Sequence, residues 1–121
     1  MQLDLGSGPV DLEISFWTLV VYEQEFGGNM IGDLFGKAEL VEESSAVYVN
    51  GNGNIEIDYS QFDWTAGIRA MWAAARTHDS RTPAFETWAR SMHGVDIWPI
   101  AAEFVDAVRT ELFRPGATDS E

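Results

Sequence analysis

The 121-residue chain has no cysteine, which excludes disulfides and thiolate metal sites and leaves the redox compartment open. It is poor in positive charge: seven Lys and Arg stand against 20 Asp and Glu, a net charge of −13. Such a surface repels phosphate backbones, so nucleic acid is not an expected partner. Long apolar runs are missing too. The longest, residues 70–75, falls far short of the ~20 residues a membrane-spanning helix needs. The opening Met1-Gln-Leu-Asp-Leu-Gly6 has neither the basic nor the apolar stretch of a secretory signal. The expectation is a cytoplasmic protein with no membrane association.

Recognisable catalytic patterns are also lacking. The 11 glycines form neither G-x-G-x-x-G nor a Walker loop, so nucleotide binding has no support. His78 and His93 are the only imidazoles, 15 residues apart, with no nucleophile or oxyanion loop at a known spacing. Helix-end histidines are the economical reading, and neither an enzyme nor a cofactor is expected. The loop Asn50, Asn52, Asn54, Glu56, Asp58 offers oxygens at alternate positions, as a calcium loop does. The required turn glycine would fall at Ile55 and the bidentate acid at Gln61, so it reads as a turn and strand instead. No metal is expected.

What is present suits one small globular domain, since 45% of residues are hydrophobic and 12% aromatic. The charge is uneven. Residues 1–60 hold 11 acids against Lys37 alone, whereas residues 61–121 hold nine acids and six arginines. The pattern of elements predicts an α+β fold: short N-terminal β-strands and hairpins packed against a mainly helical bundle of about four helices. The domain spans residues 1–113. Residues 114–121 offer no apolar content to bury and are expected to be a disordered tail.

Leu3-Asp-Leu5 and Val10-Asp-Leu-Glu-Ile14 flank Gly6-Ser-Gly-Pro9 and alternate apolar with acidic residues, which predicts two strands around a turn. Leu19, Tyr22 and Phe26 then recur at helical spacing, with Ser15 or Thr18 as cap and Gly27-Gly28 as stop. Residues 29–34 add a further helical turn, and residues 37–45 read as an exposed connection. Val47-Tyr-Val49 and Ile55-Glu-Ile-Asp-Tyr59 flank Asn-Gly pairs, a hairpin signal because such turns need positive φ.

The stretch 64–76 is the expected core post: Trp64, Ile68, Met71, Trp72 and Ala75 share one narrow helical face, and alanines raise helix propensity. Thr82-Pro83 is read as the start of a helix carrying Phe85, Trp88, Ala89 and Met92, closed by His93-Gly94. A last helix opens near residues 96–99 and runs to about Phe113, with Ile97, Ala101, Phe104, Val108 and Leu112 on one face. Arg69 and Arg76, seven residues apart beside Trp72, are expected to act as structural clamps on the acidic N-terminal half or on an acidic neighbouring copy. Fifteen aromatic residues exceed what one small core hides. Trp88, Trp98 and Phe113, on short or terminal helices, are therefore the expected partner-binding residues.

The order of these elements resembles the tail assembly chaperone family of long-tailed, siphovirus-type bacteriophages and prophages. The residues that carry the resemblance are Tyr22-Glu-Gln-Glu-Phe-Gly27, Asn29-Met-Ile-Gly-Asp-Leu34, the Trp- and Ala-rich stretch 64–76, and Pro83-Ala-Phe-Glu-Thr-Trp88. It covers roughly residues 1–113, and the hairpin at 46–59 departs from it, standing where a shorter connection belongs. The resemblance implies a non-catalytic helper in the host bacterial cytoplasm that binds the tape measure protein, keeps it soluble and recruits the major tail tube protein during virion morphogenesis. It also implies self-association, and a frameshifted longer form extended from the C-terminus. The alternative of another class is a small acidic protein–protein interaction module, an inhibitor, immunity protein or nucleic-acid mimic whose carboxylates block a basic partner site.

Overall fold

The computed structural model describes residues 1–6, 8–35 and 63–113 and, for the backbone alone, 47–49 and 55–57. Strands β1 (Gln2–Asp4) and β2 (Pro9–Asp11) precede helices α1 (Phe16–Phe26) and α2 (Met30–Phe35). Strands β3 (Val47–Val49) and β4 (Ile55–Ile57) then lead into helices α3 (Trp64–His78), α4 (Phe85–Arg90) and α5 (Ile97–Leu112). The fold is α+β: two antiparallel hairpins and five helices among the described residues. A connected set of buried side chains runs from Leu3 to Val108 and draws on both halves of the chain.

Helix α3 is that core's centre. Its expected narrow apolar face is too modest a description, because every side chain from Ala70 to Ala75 is buried while Trp64 and Ile68 are half-exposed. Alanines at 70, 73, 74 and 75 have almost no volume beyond Cβ, so neighbours pack against the backbone itself. α1 lies closest along it. The segment after β2 reaches it directly, where the Glu13 N–H donates to the Ala74 carbonyl at 3.1 Å. β3 lies beside α2 and β4 beside α5.

The N-terminal hairpin pairs Leu3 with Val10 and buries Leu3, Leu5 and Leu12, as the alternation requires. The Met1 amino group and N–H of Leu12 close its base by exchanging bonds with the opposite carbonyls, at 2.9 and 2.8 Å. Its turn is held by Gly6, with φ +105° and a Cα so near the His93 carbonyl that a Cβ would lie 1.8 Å from the oxygen. Only glycine fits both demands. α1 begins at Ser15, whose N–H donates to Thr18 Oγ1, and ends at Gly27 in the left-handed region with its N–H on the Glu23 carbonyl.

The α3–α4 junction departs from expectation. α4 begins at Phe85 rather than at Pro83 and ends at Arg90, before the His93-Gly94 stop. Thr82 does not cap it. Its hydroxyl reaches back to the carbonyls of Ala75 and Asp79 at 3.1 and 2.7 Å, closing the end of α3. The Pro83 carbonyl is taken by the Trp72 indole N–H at 2.8 Å. The hydroxyl adds a second donor to carbonyls that the Asp79 and Thr82 N–H groups already reach, and the Pro83 carbonyl satisfies the buried indole. α5 matches its expected span, with Asp96 accepting from the Trp98 N–H. The expected connection 37–45, the Asn-Gly loop of the second hairpin and the tail 114–121 lie outside the described residues.

Gly6→Ala combines a positive φ with a collision and is expected to cost about 2–4 kcal/mol in urea unfolding. Gly8→Ala, at φ +112° with nothing within 4 Å of the new Cβ, carries the backbone term alone. The difference between the two measures the fit of the hairpin against His93.

Candidate functional surface

Helix α1 is apolar on both sides, and its inner and outer faces are filled against type. Thr18 sits on the inner face with no exposed surface, while Phe16 and Trp17 on the outer face are 73% and 55% exposed. Val20 continues the outer strip one turn on. Burying Thr18 requires partners, and they are present. Its hydroxyl accepts from the Ser15 N–H and donates to the Glu13 carbonyl, both at 3.0 Å. The Thr77 hydroxyl lies 3.0 Å from it and 2.7 Å from the Ala73 carbonyl, and shares one proton between them. Thr18 thus ties the start of α1 to the last turn of α3.

The outer strip has no such internal reason. Two aromatic side chains and a valine stand in water along it, an exposed apolar strip. Sequence reasoning passed over Phe16, Trp17 and Val20 because Leu19, Tyr22 and Phe26 already accounted for the helix. The available signal was the run Phe16-Trp-Thr-Leu-Val-Val-Tyr22, whose one polar residue cannot furnish a solvent face. The segment that carries the strip holds charge of one sign: residues 1–36 contain six carboxylates and no Lys or Arg.

The expected partner-binding residues divide. Trp88 is buried, walled by α3 and the hairpin, and joins a small apolar cavity of about 100 Å³ with Leu5, Ile68, Met71, Met92 and Ile97. It is a core residue, and the shortness of α4 did not keep it outside. Trp98 is 44% exposed with its ring edge-on to Trp64 at 4.7 Å, and Phe113 is 46% exposed against Phe35 at 6.0 Å. The structure does not bring Trp98 and Phe113 together, since they bracket opposite ends of the 16-residue α5.

Among the described residues, Arg69 and Arg76 lie against aromatic rings. The Arg69 guanidinium lies 5.1 Å from the Phe26 ring centre, and its buried Nε has no hydrogen-bond acceptor among the described residues. It does hold the N-terminal half, through α1, but by cation–π attraction. Arg76 lies 5.8 Å over Trp72 and donates to the Thr82 carbonyl at 3.2 Å, so it stays within the second half. Among the described residues neither forms an ion pair; those present are Arg81 with Asp79, Arg90 with Glu86, Arg109 with Asp106 and a 3.7 Å approach of His78 to Asp11. Phe26 is the centre of an edge-to-face cluster with Tyr22, Trp72 and Phe85 at 5.0–5.6 Å.

Behind that cluster the Tyr22 hydroxyl donates to Asp33 Oδ2 at 2.7 Å, joining α1 to α2. Gly28 leaves room for the carboxylate, as a Cβ there would sit 2.8 Å from it. Burial, and then the bond to Asp33, hold the phenol well above its ordinary pKa. At the α3 end, the Arg81 side chain and N–H hold Asp79 below the usual carboxylate range. Among the described residues no three His, Asp or Glu side chains are grouped to hold a metal, and no helix is long and apolar enough to cross a membrane. The calcium-loop positions Asn50, Asn52, Asn54 and Asp58 and the Glu56 side chain lie outside the described residues. Comparison with protein-family models, curated proteins and solved structures finds no match in any of the three.

Two outcomes follow from α1. Phe16→Ser with Trp17→Ser should leave urea stability within about 0.5 kcal/mol, whereas Thr18→Ala should cost about 1–3 kcal/mol. A folded Tyr22 that keeps its proton while the unfolded one loses it makes stability full below pH ~10 and declining above it, by up to about 1.4 kcal/mol per pH unit. Tyr22→Phe should flatten that alkaline decline in a thermal-midpoint series.

Proposed function

We propose that the protein is a non-catalytic assembly chaperone of the long-tailed phage type. It works in the host cytoplasm, holds the tape measure protein soluble and brings the tail tube protein to it. The observation that carries this reading is the exposed Phe16, Trp17 and Val20 strip on a chain of net charge −13. A protein that keeps long apolar helices in solution needs an apolar face to cover them and a charged exterior to keep the complex dispersed. The motifs Tyr22-Glu-Gln-Glu-Phe-Gly27 and Asn29-Met-Ile-Gly-Asp-Leu34 support it in sequence, and both lie on or directly after the helix that carries the strip.

Residues 1–36, with six carboxylates and no Lys or Arg, favour a second reading, an acidic module that occupies a basic partner site. Salt separates the two. Apolar docking survives ~0.5 M salt, whereas attraction between exposed charges is screened over a few ångströms there.

Co-expression with the tape measure protein of the same phage is the direct test. The expected result is a soluble complex that persists in high salt and is lost with Phe16→Ser/Trp17→Ser. A tape measure protein that stays insoluble and unbound beside the wild-type chain overturns the chaperone reading.

A further inference from the structure

Helix α1 departs from surface-helix practice in three ways on adjoining ground. Its outer strip is aromatic and exposed. Its charges are at the unfavourable end: no acid stands in the first turn and no base in the last, while Glu23 and Glu25 lie beside the C-terminal carbonyls, whose partial charge is already negative. Neither carboxylate pairs with a cation among the described residues. Third, a cleft of about 320 Å³ opens at that end, lined by Leu19, Glu23, Gly27, Gly28, Asn29 and Met30, with Glu23 its one charged side chain. Phe16, Val20 and Glu23 follow at i, i+4 and i+7, so the apolar strip runs straight to the carboxylate and the cleft.

From this arrangement we propose that α1 docks an amphipathic helix of a partner protein, its apolar face on Phe16, Trp17 and Val20 and its Lys or Arg in the cleft beside Glu23. The inference rests on the reading of α1 as the working face of a binding protein and adds the chemistry and direction of what binds. A cation in that cleft meets the Glu23 carboxylate and the negative end of the helix together, which relieves the unfavourable placement of both. A second copy does not supply this. A second α1 brings no cation to the cleft, because residues 16–26 contain Glu23 and Glu25 and no Lys or Arg. An anionic lipid surface brings negative charge to the same carboxylates and is repelled.

The test uses the full chain and three synthetic helical peptides that share one leucine face and end in a pair of Arg, Gln or Glu. Affinities are read by calorimetry, with the part of the tryptophan emission change that Trp17→Ser removes as a second signal. The Arg peptide is expected to bind about tenfold more tightly than the Gln peptide, and the Glu peptide more weakly than both. Glu23→Gln/Glu25→Gln should erase the Arg-over-Gln preference while leaving the Gln peptide's affinity in place. Phe16→Ser/Trp17→Ser should lose all three peptides. Circular dichroism and unfolding midpoints establish that both variants fold. Equal affinity for the three peptides, a preference that survives Glu23→Gln/Glu25→Gln, or Arg-peptide binding that survives Phe16→Ser/Trp17→Ser overturns the proposal. So does a dimer in sedimentation velocity that dissociates with Trp17→Ser. If the peptides behave as expected but the tape measure protein is not solubilised, the chaperone reading falls and the docking chemistry stands. If the tape measure protein is held equally well by Glu23→Gln/Glu25→Gln, the reverse follows.

Discussion

A helix with no solvent face must be enclosed from every direction, and α3 between Ala70 and Ala75 is such a helix. Its alanines make it thin, so each neighbour is held by contacts with backbone as much as with side chains. α1 is attached to it through Thr18 and Thr77, the N-terminal hairpin through Glu13 and Ala74, and the α3–α4 connection through Trp72 and Pro83. The first two adjoin, since Thr18 also donates to the Glu13 carbonyl, and the third stands apart from them. Apolar packing among them is non-directional, whereas hydrogen bonds at fixed residues set the register of each element against the post. The fold therefore has a hydrophobic centre and a small number of polar contacts that decide how the rest is arranged around it.

Much of this was legible in the chain, and the failures have particular causes. The spans of α3 and α5 follow from periodicity and caps, and Gly27 ends α1 as a left-handed glycine should. Thr82-Pro83 carries a good helix-start signal, yet the Thr82 hydroxyl turns back to the Ala75 and Asp79 carbonyls and α4 begins two residues after Pro83. Net charge points Arg69 and Arg76 toward carboxylates; among the described residues the rings of Phe26 and Trp72 are their neighbours, and the side chains of Glu39, Glu42, Glu43, Glu56 and Asp58 lie outside that set. Trp88 shows the limit of reasoning from helix length, because what buries it is the hairpin and α3, far away in sequence.

The strip on α1 was missed for a different reason. Period analysis finds the face that packs, and a helix apolar on both sides satisfies it whichever face turns inward. Only the partners of Thr18, at Glu13 and Thr77, reveal that the inner face is the one carrying the hydroxyl. Local preference and global fold agree over most of the chain and part company on this helix, in its buried polar residue, its exposed aromatics and its acidic C-terminal end. Such departures concentrate where a surface serves something other than the stability of its own chain.

The close seat of Gly6 against the His93 carbonyl has a consequence in time. The hairpin's turn rests on a residue made 87 positions later, its strand exit on Ala74, and Thr18 on Thr77. Residues 1–35 can pair within the hairpin and between α1 and α2, but they have no α3 to pack on until residues 64–78 are made. Both faces of α1, the one destined for the core and the one that stays outside, are apolar and open together in that interval. Nascent chains with such helices depend on like charge to stay apart, and residues 1–36 carry six carboxylates and no Lys or Arg.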